Sequence, residues 1–304
     1  MVHVEWNMSQ VKRKFLSSFW TYRCAVSLLM LALLRVSFPA TAADFQEPEM
    51  VLVPAGTFTM GTPSWADDPT WFPRIPQRRV SIDRSFWVGK YEVTRAEYQH
   101  CVEDGACPPS KVHRFSAPTD LVPITYINLK KAQAYTDWLS KKSGKKYRLL
   151  TGIEWEYAAR GGETGLFSTG TYLRSDQANF SPMCSPRSAP RWRKRCLELQ
   201  GVRSSVSGRI TPELKPVGSY PPNRYALHDV HGNASELVSD CIVWDEDQKK
   251  PISNNVWQIE RCNYAFFMGG YFELSVHGQR FDYVLPTYID TETPHGGFRL
   301  AMDQ

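Results

Sequence analysis

The sequence predicts one α+β domain in which short strands and two or three helices are joined by long loops. The 304 residues are 42% hydrophobic and 13% aromatic, which is enough for a substantial core. No internal repeat is visible, and strand and helix signals are mixed along the chain. The 21 prolines and 19 glycines favour frequent turns, so the regular elements should be short.

The first 42 residues are typical of an export signal. Residues 12–14 are basic, residues 24–34 (CAVSLLMLALL) form a short apolar segment, and Ala40-Thr41-Ala42 fits the small-residue cleavage rule. The alternative is an uncleaved anchor. We expect residues 43–304 to form a single periplasmic domain without a membrane span, because no later stretch approaches the roughly 20 apolar residues that a span needs.

Six of the seven cysteines lie outside the export signal. An even number suits disulfides in an oxidising compartment, and proximity in the sequence favours the pairs Cys101–Cys107, Cys184–Cys196 and Cys241–Cys262, although other connectivities remain open. The formal net charge of +5 includes the basic export signal, and no long Lys/Arg tract recurs. Nucleic acid is therefore not an expected partner.

The mature chain opens with strand signals. Residues 50–53 are apolar and precede a glycine turn, after which Phe58 and Met60 alternate with polar residues as in a hairpin strand. Residues 80–83 and 86–88 continue this pattern.

Three helices follow. Capping boxes at residues 94–97 and 151–154, in which Thr and Glu satisfy free amides, predict helices that end near Gly105 and at residues 161–162. Between them, Asn128 caps a helix whose aromatic stripe, including Tyr135 and Trp138, should face the core.

Six motifs in fixed order carry a family resemblance. They are residues 135–139, 144–149, 154–162, 229–236 (DVHGNASE), 268–280 (MGGYFELSVHGQR) and 296–300 (GGFRL). Over about residues 50–301 the chain resembles the formylglycine-generating enzyme, or sulfatase-modifying factor, family. The resemblance implies a single compact, C-type-lectin-like domain with little regular secondary structure.

The resemblance also predicts a loss of the family's chemistry. In catalytic members two cysteines after the Gly-Gly pair bind copper, and their matching positions here are Leu274 and Gln279. Thiolates hold Cu(I), whereas leucine has no lone pair and a primary amide is a poor, hard donor. No copper is therefore expected. A relocated site at Cys241 and Cys262 is the alternative, and a disulfide between them is favoured.

Neighbouring positions depart from the family pattern as well. Ser235 stands where the family has a tryptophan, and Tyr271 where it has a serine. These departures predict a rebuilt groove, whose candidate residues are Ser235, Tyr271, Leu274, His277, Gln279 and Arg280. His277, His295 and Glu273 could supply metal ligands, but they lack ligand spacing. His228 and His231 are interpreted as structural.

The resemblance implies a structural calcium ion at the segment before this groove. Its ligands would be the carboxylates of Asp229 and Glu236 and the backbone carbonyls of Gly232 and Ala234, because Ca²⁺ accepts six to eight oxygens. The alternative is a plain turn whose acids face water.

The resemblance fades over residues 163–215, which form a divergent basic insert. A cysteine-bounded loop at residues 184–196 has two interpretations, a solvated surface loop or a docking patch for an acidic partner. Its candidate contact residues are Arg191, Trp192, Arg193 and Arg195, since Trp and Arg are enriched in interface hot spots.

Three functional hypotheses follow from the resemblance. The first is a non-catalytic exported regulator, similar to periplasmic regulators upstream of the kinase that controls type VI secretion. Its partner would be the sensor region of a membrane Ser/Thr kinase or an outer-membrane lipoprotein. The second is a periplasmic maturation enzyme of the siderophore-chromophore type. The third, a copper-dependent oxidase, is the one the sequence disfavours. No phosphate loop, zinc-protease helix or serine elbow is present.

Overall fold

The computed structural model describes residues 45–63, 66, 76–184, 190–201, 213–245, 250–253 and 262–304. The predicted export signal and parts of the divergent insert lie outside these residues. Gln46–Gln304 form one compact unit. In the part of the chain that is described, no helix combines the length and apolar character needed to cross a membrane.

Short elements dominate, as expected for an α+β domain. The strands are β1 (Met50–Val53), β2 (Gly56–Met60), β3 (Arg78–Ile82), β4 (Phe86–Gly89), β5 (Tyr147–Leu149), β6 (Ser235–Asp245), β7 (Lys250–Ser253), β8 (Tyr264–Met268), β9 (Leu285–Tyr288), β10 (Gly296–Phe298) and β11 (Leu300–Asp303). The helices are α1 (Arg95–Glu103), α2 (Leu129–Ser143), α3 (Gly152–Arg160) and α4 (Pro190–Leu199), with a 3-10 turn at Val276–Gln279.

The three predicted helices are confirmed, and their caps explain where they begin. Thr94 and Thr151 each accept a hydrogen bond from the amide of the capping-box glutamate, whose side chain accepts one in return. Asn128 accepts from the Lys131 amide to start α2. Because Gly144 has a φ of 76°, α2 can end in the left-handed conformation that glycine tolerates.

Residues 296–303, which contain β10 and β11, connect two of the sheets. β11 lies between β4 and β5 in a four-stranded antiparallel sheet of order β1-β4-β11-β5. β10 pairs in parallel with β6, at the edge of a second sheet of order β10-β6-β8-β9, where β7 also pairs with β6. The hairpin of β2 and β3 is separate. Residues 296–303 therefore belong to both main sheets.

The main core lies between these sheets and α3. Trp155 of α3 is 2% exposed and packs in one cluster with Val88 of β4, Val238 of β6 and Met268 of β8. The indole of Trp155 also donates to Glu236 Oε2 at 2.7 Å. Helix α3, which contains one of the family motifs, thus fixes the position of the start of β6.

Arg299 occupies the junction between β10 and β11. Its side chain is 1% exposed, and all five N–H groups have acceptors. Nε and one terminal nitrogen bond both oxygens of Glu236, at 2.9 and 2.6 Å. The remaining donors reach the backbone carbonyls of Gly89, Lys90 and His228. One side chain therefore ties the end of β4 to the start of β6.

The six cysteines outside the export signal pair as their order in the sequence predicts. The disulfides are Cys101–Cys107, Cys184–Cys196 and Cys241–Cys262. The last pair joins β6 to the residues before β8, so neither sulfur is a thiolate while the bond is intact.

The prediction of a cysteine-bounded loop at residues 184–196 is wrong in part, because residues 190–199 form helix α4. Pro190 suits the first position of a helix, and Arg, Lys, Leu and Glu, which make up most of the segment, are good helix formers. The disulfide from Cys184 to Cys196 and the buried Leu199 hold this helix against the fold.

We expect Arg299→Met to lower the free energy of unfolding by about 3 to 5 kcal/mol, because it leaves Glu236 buried without its counter-ion. Chemical denaturation measures this change. The matched control is Arg174→Met, which breaks an exposed pair with Asp176 and should cost less than about 1 kcal/mol. Equal losses in the two variants would contradict the central role of Arg299.

Candidate functional site

The Gly-Gly segment turns sharply at the end of β8. Gly269 and Gly270 have φ values of 86° and 70°, a region that residues with a Cβ rarely adopt. A Cβ on Gly270 would also overlap the carbonyl oxygen of Gly278. The two glycines therefore allow the chain to fold back on itself, which closes residues 271–278 into a compact loop. We call these residues the groove loop.

Gln279 holds this loop together from inside. Its side chain is fully buried, and Nε2 donates to the carbonyl oxygens of Tyr271, Leu274 and Ser275 at 3.1, 3.2 and 3.3 Å. Leu274 lies half-buried in the same loop, and its side chain packs over Gly278. The two residues at the copper-matching positions thus have structural contacts within the loop.

His231 holds the loop in place through hydrogen bonds, which agrees with the structural role predicted for it. Nδ1–H donates to the Gln279 carbonyl at 2.7 Å, and Nε2 accepts from the Ser168 amide at 2.8 Å. Burial lowers the pKa of His231 to about 4, so the ring is neutral at ordinary pH.

Two predicted groove residues point elsewhere. Arg280 forms a largely buried pair with Asp282, with Nε 2.8 Å from Oδ1. The His277 ring lies edge-on to Trp192 of α4, with ring centroids 5.1 Å apart. Trp192 is half-buried by this contact, so α4 packs on the groove loop.

Two other groove residues, Tyr271 and Ser235, contact His295. The Tyr271 ring stacks parallel on the His295 ring at 4.2 Å, and Ser235 donates from its amide and its hydroxyl to the His295 carbonyl. His295 Nε2 lies 3.2 Å from Glu273 Oε2. His113 completes the group, because ligand atoms of His113, Glu273 and His295 all lie within 4.8 Å of one another. The structure thus replaces His277 by His113 in the predicted cluster.

The electrostatics of this cluster favour neutral imidazoles. Burial lowers the pKa of both His113 and His295, and the Glu273 carboxylate opposes this effect without cancelling it.

The predicted calcium segment, residues 229–236, leads into the start of β6. Asp229 is buried with a φ of 56°, and its Oδ2 accepts from the Gly218 amide at 2.6 Å. Burial raises the pKa of Asp229 to about 6. Glu236 uses three of its roughly four acceptor positions on Arg299 and Trp155.

A third buried acid, Glu92, belongs to the same region. Its Oε1 accepts from Asn233 and from the Ala234 amide at 3.3 Å, while Oε2 is buried without a partner among the described residues. Burial, followed by the charge of Asp229, raises the pKa of Glu92 well above its ordinary value.

Glu92 and His113 are the site residues that sequence reasoning missed. Glu92 lies between Tyr91 and Val93 just before a capping box, and an acid in an apolar context is a detectable signal. His113 lies in a loop without a ligand motif, so only the fold reveals its position.

The outer face of α4 is basic. Arg191, Arg193 and Lys194 are exposed, and Arg191 and Arg193 have no ion-pair partner among the described residues. Arg195 lies 3.4 Å from Glu198. Exposed Met183 and Tyr172 flank this face, Met183 beside the Cys184–Cys196 disulfide and Tyr172 beside Gly201. We call these exposed residues, Arg191, Arg193, Lys194, Met183 and Tyr172, the basic face.

We expect Gln279→Ala to lower the free energy of unfolding by about 3 kcal/mol, because it removes a buried amide and leaves carbonyls without donors. Thermal or chemical denaturation measures the loss. Gln99→Ala, which removes an exposed amide bonded to Glu103 on α1, is the control and should cost under about 0.5 kcal/mol. A similar small loss at Gln279 would show that the loop does not depend on it.

Comparison with known proteins assigns the family. Residues 36–304 match the model of the "Sulfatase-modifying factor enzyme 1-like domain". The formylglycine-generating enzyme of Bos taurus is 28% identical over 239 residues, which is 63% of this chain and 58% of that protein. The chain therefore spans less than two thirds of the length of this curated relative.

Two further relatives extend the comparison. The serine/threonine-protein kinase pkn1 of Chlamydia pneumoniae is 24% identical over 216 residues, covering 65% of this chain and 28% of the kinase chain. The structure of PvdO from Pseudomonas aeruginosa superposes with a TM-score of 0.63 and 26% identity, covering 84% of this chain and 95% of PvdO. The chain belongs to the sulfatase-modifying factor enzyme 1-like family.

Proposed function

We propose that this chain is an exported, non-catalytic binding module that regulates a protein partner in the periplasm. The partner we favour is the sensor region of a membrane Ser/Thr kinase that acts on type VI secretion. The observation that carries the proposal is Gln279, whose amide is committed to three backbone carbonyls at a position where catalytic relatives place a copper thiolate.

The resemblance to pkn1 supports a regulatory role. Only 28% of that kinase chain is matched, so a segment resembling this domain occurs in one polypeptide that is named as a kinase. The kinase that we propose as the partner is a separate polypeptide.

The basic face supports an acidic partner surface. Exposed arginines that have no ion-pair partner among the described residues, together with an exposed Tyr and Met, are residue types enriched at interfaces. Because Trp192 joins α4 to His277, a partner bound there would also contact the element that covers the groove loop.

The alternative is a maturation enzyme of the siderophore-chromophore type on the same scaffold. Similarity to PvdO is compatible with it. The cluster around His295 and Tyr271 is the part of this chain that would serve such chemistry.

We extend the proposal to a structural calcium ion near Asp229. Glu92, Asp229 and Glu236 carry three negative charges when ionised, and Arg299 carries one positive charge, so a divalent cation would cancel the remaining −2. The buried Oε2 of Glu92, without a partner among the described residues, is a further oxygen for such an ion. Gly232 and Ala234 would add backbone carbonyls.

For the calcium ion, we expect EGTA to lower the Tm by about 5 to 10 °C if calcium is normally present at about 100 times its Kd. Added Ca²⁺ should restore the Tm, as followed by differential scanning calorimetry. Asp229→Ala should abolish the response. The control Asp290→Ala removes an exposed acid that pairs with Lys130, and it should respond like the wild type. A Tm that does not change when EGTA is added would exclude the calcium ion.

For the partner, we expect the purified chain to bind the extracytoplasmic region of a Ser/Thr kinase encoded beside it, as measured by biolayer interferometry. Arg191→Glu with Arg193→Glu should weaken binding at least about tenfold, and added salt should weaken the wild-type complex. Lys141→Glu with Lys146→Glu, a reversal of two exposed charges in and just after the last turn of α2, should leave binding unchanged.

An activity assay tests the opposite conclusion, that the chain is a copper-dependent oxidase. The chain would be an oxidase if, loaded with copper, it converted the cysteine of a Cys-x-Pro-x-Arg peptide to formylglycine. Binding that is insensitive to the α4 reversal would remove the basic face from the proposal.

A further inference from the structure

We infer that His113, Glu273 and His295 form a binding site for a divalent transition metal ion that prefers imidazole and carboxylate ligands, such as Zn²⁺. The site is separate from the copper-matching positions and from the calcium segment. It goes beyond the proposed function, which assigns no ion to this cluster.

The first argument is the spacing of the donor atoms. One ligand atom from each residue lies within 4.8 Å of the other two, and among the described residues this is the cluster of three such side chains that is found. Tetrahedral ligands at zinc bond lengths are roughly 3.4 Å apart, so modest side-chain movements would close the site.

The second argument is the contact between His295 and Glu273. His295 Nε2 lies 3.2 Å from Glu273 Oε2, so these two donor atoms already face each other. His295 Nδ1 is buried with no hydrogen-bond partner in the described part of the chain, so no hydrogen bond at Nδ1 fixes the tautomer of the ring. The neutral ring can therefore carry its proton on Nδ1 and present the Nε2 lone pair to an ion that Glu273 also binds.

The third argument is that all three ligands come from fixed loops. The amide of Phe272, beside Glu273, donates to the Asn233 carbonyl at 3.1 Å, and the His295 carbonyl accepts from Ser235 twice. The His113 ring packs edge-on against Phe272, with centroids 5.3 Å apart. Contacts of this kind orient the side chains that bind a metal ion.

Two hydrogen bonds must be exchanged when the ion binds, because the ion also takes the place of the proton between His295 Nε2 and Glu273 Oε2. His113 Nδ1 accepts from the Phe115 amide at 3.2 Å, which places the proton of the neutral ring on Nε2. Coordination through either nitrogen displaces this arrangement, so the Phe115 amide loses its acceptor. The exchange gives metal binding a specific spectroscopic signature.

The donor set indicates a site with an open position. Two histidines and one carboxylate are the protein ligands of many catalytic zinc sites, which leave a fourth position for water or a ligand oxygen. The Glu273 side chain is 28% exposed, so solvent reaches the site from its side, while Tyr271 covers His295.

The test uses the tag-free chain, treated with chelator and then held in excess Ca²⁺ so that all-oxygen sites are filled. Titration with Co²⁺ should give visible absorption bands that saturate at one ion per chain, and Zn²⁺ should displace Co²⁺. In selectively ¹⁵N-phenylalanine-labelled protein, Zn²⁺ should shift the Phe115 amide signal.

Variants decide whether the ion sits where we infer. His113→Ala, His295→Ala and Glu273→Gln should each weaken Zn²⁺ binding at least about tenfold. His100→Ala, which removes a partly exposed imidazole on α1, should bind like the wild type. Glu273→Gln preserves side-chain size, so it remains informative if a histidine variant fails to fold.

Two results would overturn the inference. The first is a chain that binds less than a tenth of an equivalent of Co²⁺ or Zn²⁺ under these conditions. The second is Zn²⁺ binding that persists unchanged in Glu273→Gln with no response of the Phe115 amide.

Discussion

The fold depends on the buried guanidinium of Arg299. A charged group at this depth is costly unless every donor is bonded and a counter-ion is adjacent, and Arg299 meets both conditions with two oxygens of Glu236 and three backbone carbonyls. Those acceptors come from the end of β4, the His228 turn and the start of β6. The planar geometry of the guanidinium fixes their relative positions more strictly than apolar packing would.

At the start of β6, two neighbouring residues face chemically different environments. Successive strand residues face opposite sides, so Ser235 contacts the His295 carbonyl while Glu236 contacts Arg299. One side holds buried carboxylates that suit a hard cation, and the other holds imidazoles beneath Tyr271. The Gln279 amide serves neither side, because it is used to close the loop at residues 271–278. The two sides of β6 therefore offer different donor atoms.

Local signals in the sequence predicted the helices, because capping boxes and the Asn128 cap act within four residues. The cysteine pairs and the family scaffold were also predictable. Helix α4 was interpreted as a loop because its cysteine frame and basic character outweighed its good helix formers. The order of strands was not predictable, since β11 inserts between β4 and β5. His113 was missed because its neighbours in the fold are distant in the sequence. Glu92 stood out as an acid between apolar residues, but its contact with Asn233 spans 141 residues and has no local signature.

The shared segment at residues 296–303 has a consequence for biosynthesis. Because Gly89 and Arg299 are 210 residues apart, a chain that grows from its N-terminus cannot complete either main sheet until this segment has left the ribosome. Before that moment β4 and β5 lack the strand between them, and Glu236 lacks its cation. The two main sheets are therefore completed only when residues 296–303 join them, whichever hairpins form earlier along the chain.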